Sequence, residues 1–571
     1  MAGLGDIIKV AKGDAPCDLV LKGGSLVNVL SGEIYEADIA VFDGQVVGIG
    51  SYSGREEVTV KGKYITPGFI DGHVHIESSM VEVREFAKAV VPLGTTSVVI
   101  DPHEIANVFG LEGIQYMLKS AKFNPLNVFL MLPSCVPATQ FETSGSSLKG
   151  FDLYPLLTGK WVLGIGEVMN YPGVLARDQD LLDKITMADV KRVDGHAPNL
   201  SGMDLCAYVA AGVRSDHEGT SVEEVQEKLR LGLHIMIREG SLTKNLKVLL
   251  PLITPYNISR CFFVTDDRHP RDILEEGHID FMVRTAIKAG VDPVAAVRLA
   301  TLNGAEYFKL DRLGAVAPGY TADLLVLDSL DKVKVEKVFK RGVLVAENGK
   351  LVESQLNPPK IMLRSSINIK FLTLDDFKIP ARGKKVRAIE LRPGDIKTGE
   401  WVADATIVDG LAVSDPTRDI IKIMVIERHH ASENIARAFL KGLGLKRGAL
   451  ASSVSHDSHN IVVAGVNDED MLEAVIEICR MKGGLAVVAD GKVLARVPLP
   501  VAGLMSEGTM AEVRDAIQHI DRVSREVGIT MEEPFMALSF VTLAVMPDLK
   551  LTDLGLFDVR KFKFVDVFAD A

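Results

Sequence analysis

Apolar and polar positions alternate with a period of two through residues 17–65. The segments CDLVLKGGSLVNVL, EADIAVFDGQVVGIG and REEVTVKGKYI are broken by Gly-Gly, Ser-Gly and Asp-Gly turns, which predicts short β-strands. The same texture returns after residue 312, in LGAVAPGYTADLLVLD and the residues that follow. Two such stretches flanking a long and different middle predict one small β-sandwich domain built from both, 1–66 and 306–360. The middle, 67–305, carries eight apolar runs that end in polar residues: YITPGFIDGHVHI, TTSVVIDPH, NVFLMLPS, VLGIGEV, KRVDGHA, GVRSDH, LHIMIRE and CFFVTDD. Amphipathic helical segments such as MVEVREFAKAVVPLG, LEGIQYMLKSA, MDLCAYVAAG and SVEEVQEKLRLG lie between them. Strands buried on both faces and alternating with helices are parallel strands with crossovers. Eight units in a segment of this length predict a (β/α)8 barrel, so the chain is α/β in class. NPPK (357–360) reads as a connector. Residues 361–571 are expected to form a C-terminal α/β domain, with runs such as RDIIKIMVIE, NIVVAGV and GLAVVAD and helices such as EDMLEAVIEICRM and MAEVRDAIQHIDRV.

Composition narrows the class of function. With 571 residues the chain needs more than one core, and 47% hydrophobic with 25% charged residues is the balance of a globular protein. The net charge of −12, with both signs interleaved, argues against nucleic acid and anionic membranes as partners. Five cysteines (Cys17, Cys135, Cys206, Cys261 and Cys479) form no CxxC pair, so neither a disulfide framework nor a thiolate zinc cage is expected. The N-terminus lacks the pattern of a signal peptide, and no apolar run is long enough to span a bilayer. The expected location is the cytoplasm.

The histidines carry the chemistry. His73 and His75, two apart at the end of the first run, point to one face of a strand. Glu167 ends the fourth run, His196 the fifth, His217 the sixth and Asp266 the eighth. In a barrel these positions meet at the C-terminal mouth. Each alone reads as a buried polar group satisfied by hydrogen bonds; six together read as a metal site. Imidazole and carboxylate without thiolate suit zinc, iron or manganese, and a carboxylate such as Glu167 can bridge two ions that hold a hydroxide between them. Asp266 could take the proton of that hydroxide and pass it to a leaving group. Glu218 could shuttle a proton. His103 and Glu104 are further ligands, substrate contacts or a loop-anchoring pair. Glu77, Ser78 and Ser79 either contact a polar ligand or cap the next helix. Asp267 and His269 either orient the base and bind substrate or form a solvated turn. In SHDSHN (455–460), His456, Asp457 and His459 could bind metal, or form a polar loop that closes over the barrel mouth or packs at a domain interface.

TPGFIDGHVHIESSM together with GAVAPGYTADLLVLD resembles the amidohydrolase superfamily. DPHEIANVFG, GIGEVMNYPGV, DGHAPNLSG, SDHEGTS, FVTDDRHP and SHDSHNIVVAG together resemble its adenine deaminase family, over essentially the whole chain. The resemblance implies hydrolysis of adenine to hypoxanthine and ammonia, by a metal-bridging hydroxide attacking C6 of the purine. It implies a binuclear centre of Fe(II) or Mn(II), with zinc also compatible. His73, His75 and Asp266 would hold one ion and His196 and His217 the other. Many superfamily members bridge the ions with a carboxylated lysine; the matching position here is Glu167. Ring nitrogen N1 must gain a proton during attack, and Glu218 and Glu77 are the candidates; an acidic pair in a dry cavity is expected to have raised pKa values. The HxE…PCxxC signature of cytidine-type zinc deaminases is absent. The expected partner is a small purine base, and a homo-oligomer, dimer or larger, is expected for an enzyme of this size. Two other readings use the same residues: another cyclic amidine or amide hydrolase on this barrel, and a non-catalytic purine or metal binder.

Overall fold

In the computed structural model of the chain, residues 2–188, 190–352, 361–393 and 397–570 are described. The expected connector NPPK lies outside them. All eight apolar runs of the middle segment form parallel strands: β1 (Phe69–Val74), β2 (Thr95–Ile100), β3 (Asn127–Leu132), β4 (Val162–Val168), β5 (Arg192–Gly195), β6 (Ser215–Asp216), β7 (His234–Arg238) and β8 (Cys261–Val264). They pair as a five-stranded sheet, β1 to β5, and a three-stranded sheet, β6 to β8. Two seams close the barrel. Asp266 N–H donates to the His73 carbonyl (2.9 Å), and Arg214 N–H to that of Val193 (2.9 Å).

Alternation along each strand explains why the apolar runs are continuous. Val99, Phe129, Met131, Met236, Phe262 and Val264 point inward and form one cluster, plugged from below by Tyr307 and Phe308. Their neighbours Val98, Ile100, Leu130, Leu132, Ile237 and Phe263 point outward, into the core shared with the surrounding helices. Burying one such side chain contributes roughly 1.5–3 kcal/mol.

The flanks meet in one nine-stranded sheet, joined where Tyr64–Pro67 runs antiparallel to Leu324–Leu327. Leu324 and Val326 face the core of that sheet, while Leu325 and Leu327 pack against the barrel. The C-terminal region is built on an eight-stranded sheet in which all but one pairing is antiparallel, and helix α1 (Asp468–Met481) packs on one of its faces. The SHDSHN segment connects two central strands of this sheet, Ala449–Ser452 and Ile461–Gly465. It docks onto the loop that follows β3: Ser458 Oγ donates to Glu142 Oε2 (2.6 Å) and Asn460 Nδ2 to the Thr143 carbonyl (2.8 Å). The C-terminal region therefore lies over the mouth of the barrel.

Candidate active site

The strand ends deliver the six expected donors to one place. The Nε2 atom of His73 lies 3.4 Å from Asp266 Oδ1 and 3.6 Å from Glu167 Oε1. The Nε2 atom of His75 lies 3.2 Å from each of the same two oxygens. The other oxygen of Glu167, Oε2, faces the second half of the barrel, 2.6 Å from His196 Nδ1 and 3.2 Å from His217 Nε2. All six side chains are buried except that of His196, which is partly exposed.

Local backbone and packing explain this convergence. Gly166 is required because a Cβ there would sit 1.9 Å from Asp101 Oδ2. Without one, Asp101 can accept the N–H of Glu167 (2.9 Å) and fix the carboxylate that follows. Asp266, two residues past β8, sits in the left-handed backbone region (φ 59°), which Asp tolerates better than most residues. Beneath it, Asp71 on β1 accepts the N–H of Thr265 (3.1 Å) and its hydroxyl (2.5 Å), tying the first strand to the last. Asp216, paired with the buried Lys228 (2.8 Å), accepts the N–H groups of Ala197 and Glu218 and holds the turns carrying His196 and Glu218.

The donors fit a metal ion. His75 Nδ1 lies 2.8 Å from the Asp101 carbonyl, which can only accept, so Nδ1 carries the proton. Nε2 then faces two carboxylate oxygens, an arrangement satisfied by a second proton on the ring or by a metal ion that takes its place. The Nε2 atoms of His73 and His196 also have no hydrogen-bond partner among the described residues. The groups able to hold an ion include His73–His75–Asp266, His73–Glu167–His217 and His196–His217–Glu218. The protein has a metal centre at the barrel mouth.

A second cluster spans the barrel and the C-terminal region. Glu104, at the end of the second run, contacts His456 Nδ1 (2.8 Å) and His459 Nε2. His459 Nδ1 accepts the N–H of Ser455 (3.1 Å), so the neutral ring carries its proton on Nε2, toward Glu104. The cluster joins the barrel to the C-terminal region, and Glu104, His456 and His459 are also one of the groups able to hold an ion. Burial would raise the Glu104 carboxyl, but the two imidazoles more than offset it and hold it well below the carboxylate range.

Of the other expected residues, His103, Glu104, Glu218 and Asp267 line the cavity over the metal donors. Ser78 reaches it indirectly, donating to Asp267 Oδ1 (2.5 Å). Glu77, Ser79 and His269 are not among the cavity-lining residues. Glu77 accepts the N–H of Ile105 (3.3 Å), and burial pushes its carboxyl up to about 7. Ser79 donates to the Ile76 carbonyl (2.6 Å) inside a 3-10 turn, and His269 precedes the helix Pro270–Glu275, 3.8 Å from Glu533.

Arg238, the last residue of β7, was not singled out by the sequence reading. Its Nη1 donates to Glu218 Oε1 and to Asp266 Oδ2 (2.7 Å), and it is 3% exposed. Burial raises both carboxyls, but Arg238, with the neighbouring histidines, outweighs it and holds them below their usual range. The expectation of raised pKa values thus holds for Glu77 and reverses for Glu218. The signal was available: an arginine at a strand end of an acidic mouth must pair with something. The C-terminal wall of the cavity, from Met536, Phe540, Leu543, Val545 and Met546, had no signature in the sequence.

A closed parallel barrel with a buried imidazole and carboxylate metal centre at its C-terminal mouth is the architecture of a metal-dependent amidohydrolase, and the amidohydrolase family model matches residues 64–345. The model of the adenine deaminase C-terminal domain matches residues 395–563. A protein named adenine deaminase 2 from Carboxydothermus hydrogenoformans is 48% identical over 99% of this chain and 100% of its own. An adenine deaminase from Desulfatibacillum aliphaticivorans is 50% identical over 98% and 99%. The chain belongs to the adenine deaminase family. Among solved structures, a β-aspartyl dipeptidase from Fervidobacterium islandicum AW-1 matches at 16% identity and a TM-score of 0.46, over 58% of this chain and 98% of that one.

Proposed function

We propose that the protein hydrolyses adenine to hypoxanthine and ammonia at a binuclear metal centre. The observation that carries the substrate is the match, along nearly the whole of both chains, to relatives named adenine deaminase. The two-ion reading is supported by Glu167, whose oxygens face different histidine pairs, Oε1 toward His73 and His75 and Oε2 toward His196 and His217. His73, His75 and Asp266 would hold one ion and His196 and His217 the other, with Glu167 available to both. The N/O donor set accepts Fe(II) or Mn(II), and zinc as well. Bound there, the ions supply a water acidic enough to be a nucleophile at neutral pH.

The protein's own groups then manage protons. One hydrogen of the attacking water ends on N1 of hypoxanthine and the other on ammonia, so two carriers are needed. Asp266 and Glu218 are cavity carboxylates held side by side by Arg238. Both start ionised and can accept before they donate. Glu218 passes its proton to N1, and Asp266 passes its proton to the departing amine. Glu77, behind the cavity wall, is the weaker candidate for N1. Among the contacts expected for the purine, His103, Glu104 and Asp267 line the cavity, and Ser78 orients Asp267.

The test is ammonia release from adenine with iron or manganese supplied, against cytosine, guanine and adenosine. Turnover of adenine above the others supports the reading. No turnover of adenine by metal-loaded protein overturns it.

A further inference from the structure

Asp457 is used by neither the metal centre nor the proton carriers, yet it lines the same cavity. It is 2% exposed, and its Oδ2 has no hydrogen-bond partner among the described residues. A buried carboxylate oxygen without a donor is costly, so its presence calls for a partner. Its Oδ1 lies 3.6 Å from His456 Nδ1 and 4.0 Å from His103 Nε2. His103 Nδ1 in turn lies 3.6 Å from Glu167 Oε1. One imidazole therefore separates Asp457 from the carboxylate at the heart of the donor set. Glu218 adjoins the other oxygen's side of that set, 3.5 Å from His217 Nε2 and 3.6 Å from His196 Nδ1. Asp457 is thus linked to the donors on the Oε1 side of Glu167 and Glu218 on the Oε2 side.

With C6 of a purine base over the donors and N1 toward Glu218, the five-membered ring extends toward Asp457. Free adenine carries one ring N–H, on that azole. We propose that Asp457 accepts the azole N–H of the substrate and so selects free purine bases over nucleosides, whose N9 is blocked by the sugar. The inference rests on the adenine reading above. The surroundings agree with it: Met536, Phe540, Leu543, Val545 and Met546 offer side chains with no strong partner for ribose hydroxyls, and a site that leaves buried polar groups unpaired rejects the ligand that carries them. The selecting residue comes from the C-terminal region, which gives that region a role in recognition.

The experiment compares wild type, Asp457→Ala and Asp457→Asn, each metal-loaded and checked for metal content and melting temperature. The substrates are adenine, 9-methyladenine and 7-methyladenine; both methylated bases lack the azole N–H. Wild type is expected to prefer adenine strongly. In Asp457→Ala, kcat/KM for adenine should fall about 10- to 100-fold, the worth of a hydrogen bond to a charged group, while kcat/KM for the methylated bases stays level or rises. Asp457→Asn keeps the volume and one accepting oxygen, so it should fall between the two. Kinetics on adenine within about threefold of wild type in Asp457→Ala, or an equal loss on all three substrates, would overturn the proposal. If Asp457→Ala does not fold, Asp457→Leu, which is close in size and has no acceptor, is read by the same two criteria. Wild type that is inactive on adenine would instead overturn the deaminase reading.

Discussion

The carboxylate of Asp266 is divided between two tasks. One oxygen faces the Nε2 atoms of His73 and His75, and the other accepts from Arg238. Replacing it with asparagine keeps the shape and the Arg238 side can still be approached, but the group no longer takes a proton. Asp266→Asn should therefore fold with a near-normal melting temperature and lose about 10²- to 10⁴-fold in kcat, the usual worth of general acid–base catalysis. Steady-state kinetics on metal-loaded protein checks this; a rate close to wild type would remove Asp266 from the proton path. His75 shows the complementary lesson. Its Nδ1 proton is placed by a backbone carbonyl, and that one hydrogen bond leaves Nε2 aimed at two carboxylate oxygens, where a metal ion can replace a proton.

At the scale of elements, the placement of each donor depends on neighbours that do no chemistry. Gly166 is the sharpest case. In Gly166→Ala the new methyl meets Asp101, the Asp101–Glu167 hydrogen bond breaks, and Glu167 swings from its place between the histidine pairs. Metal content after dialysis should fall about 10- to 100-fold in affinity, as for other outer-shell changes, although no ligand has been altered. Unchanged metal retention would show that Asp101 does not position the bridge. The same scale explains what was legible in the sequence. The eight apolar runs were readable because strands buried on both faces need continuous apolar residues, and polar residues at their ends stand out. Arg238 was missed because it ends a run like any other strand residue, and its partners Glu218 and Asp266 lie just past other strand ends, 20 and 28 residues away. The cavity wall around Phe540 was illegible because its apolar residues are indistinguishable from core until the chain is folded.

At the scale of the molecule, the C-terminal region closes the site, and its contact with the barrel carries its own pH dependence. Glu142, on the loop after β3, accepts from Thr139 N–H (2.9 Å) and Ser458 Oγ (2.6 Å), and burial raises its carboxyl to about 7. Its unfolded value is about 4.3. Between those values the folded chain holds a proton that the unfolded chain has released, so stability declines as pH rises through this window and stays lower above it. Glu142→Gln keeps the size and the acceptor for Thr139, can donate its amide N–H to Ser458 Oγ in place of accepting from it, and cannot ionise. The variant should match wild type near pH 4 and melt several degrees higher near pH 8. An equal difference in melting temperature at both pH values would rule out ionisation of Glu142 as the cause.

The central claim, that adenine is hydrolysed at a two-ion centre bridged by Glu167, is tested most directly by titrating metal-free protein with Mn(II) and measuring ammonia released from adenine at each addition. The account predicts no activity at the start and a rise that ends at about two equivalents per chain, with Glu167→Gln failing to reach the plateau. Full activity at about one equivalent, or deamination without added metal, would contradict it.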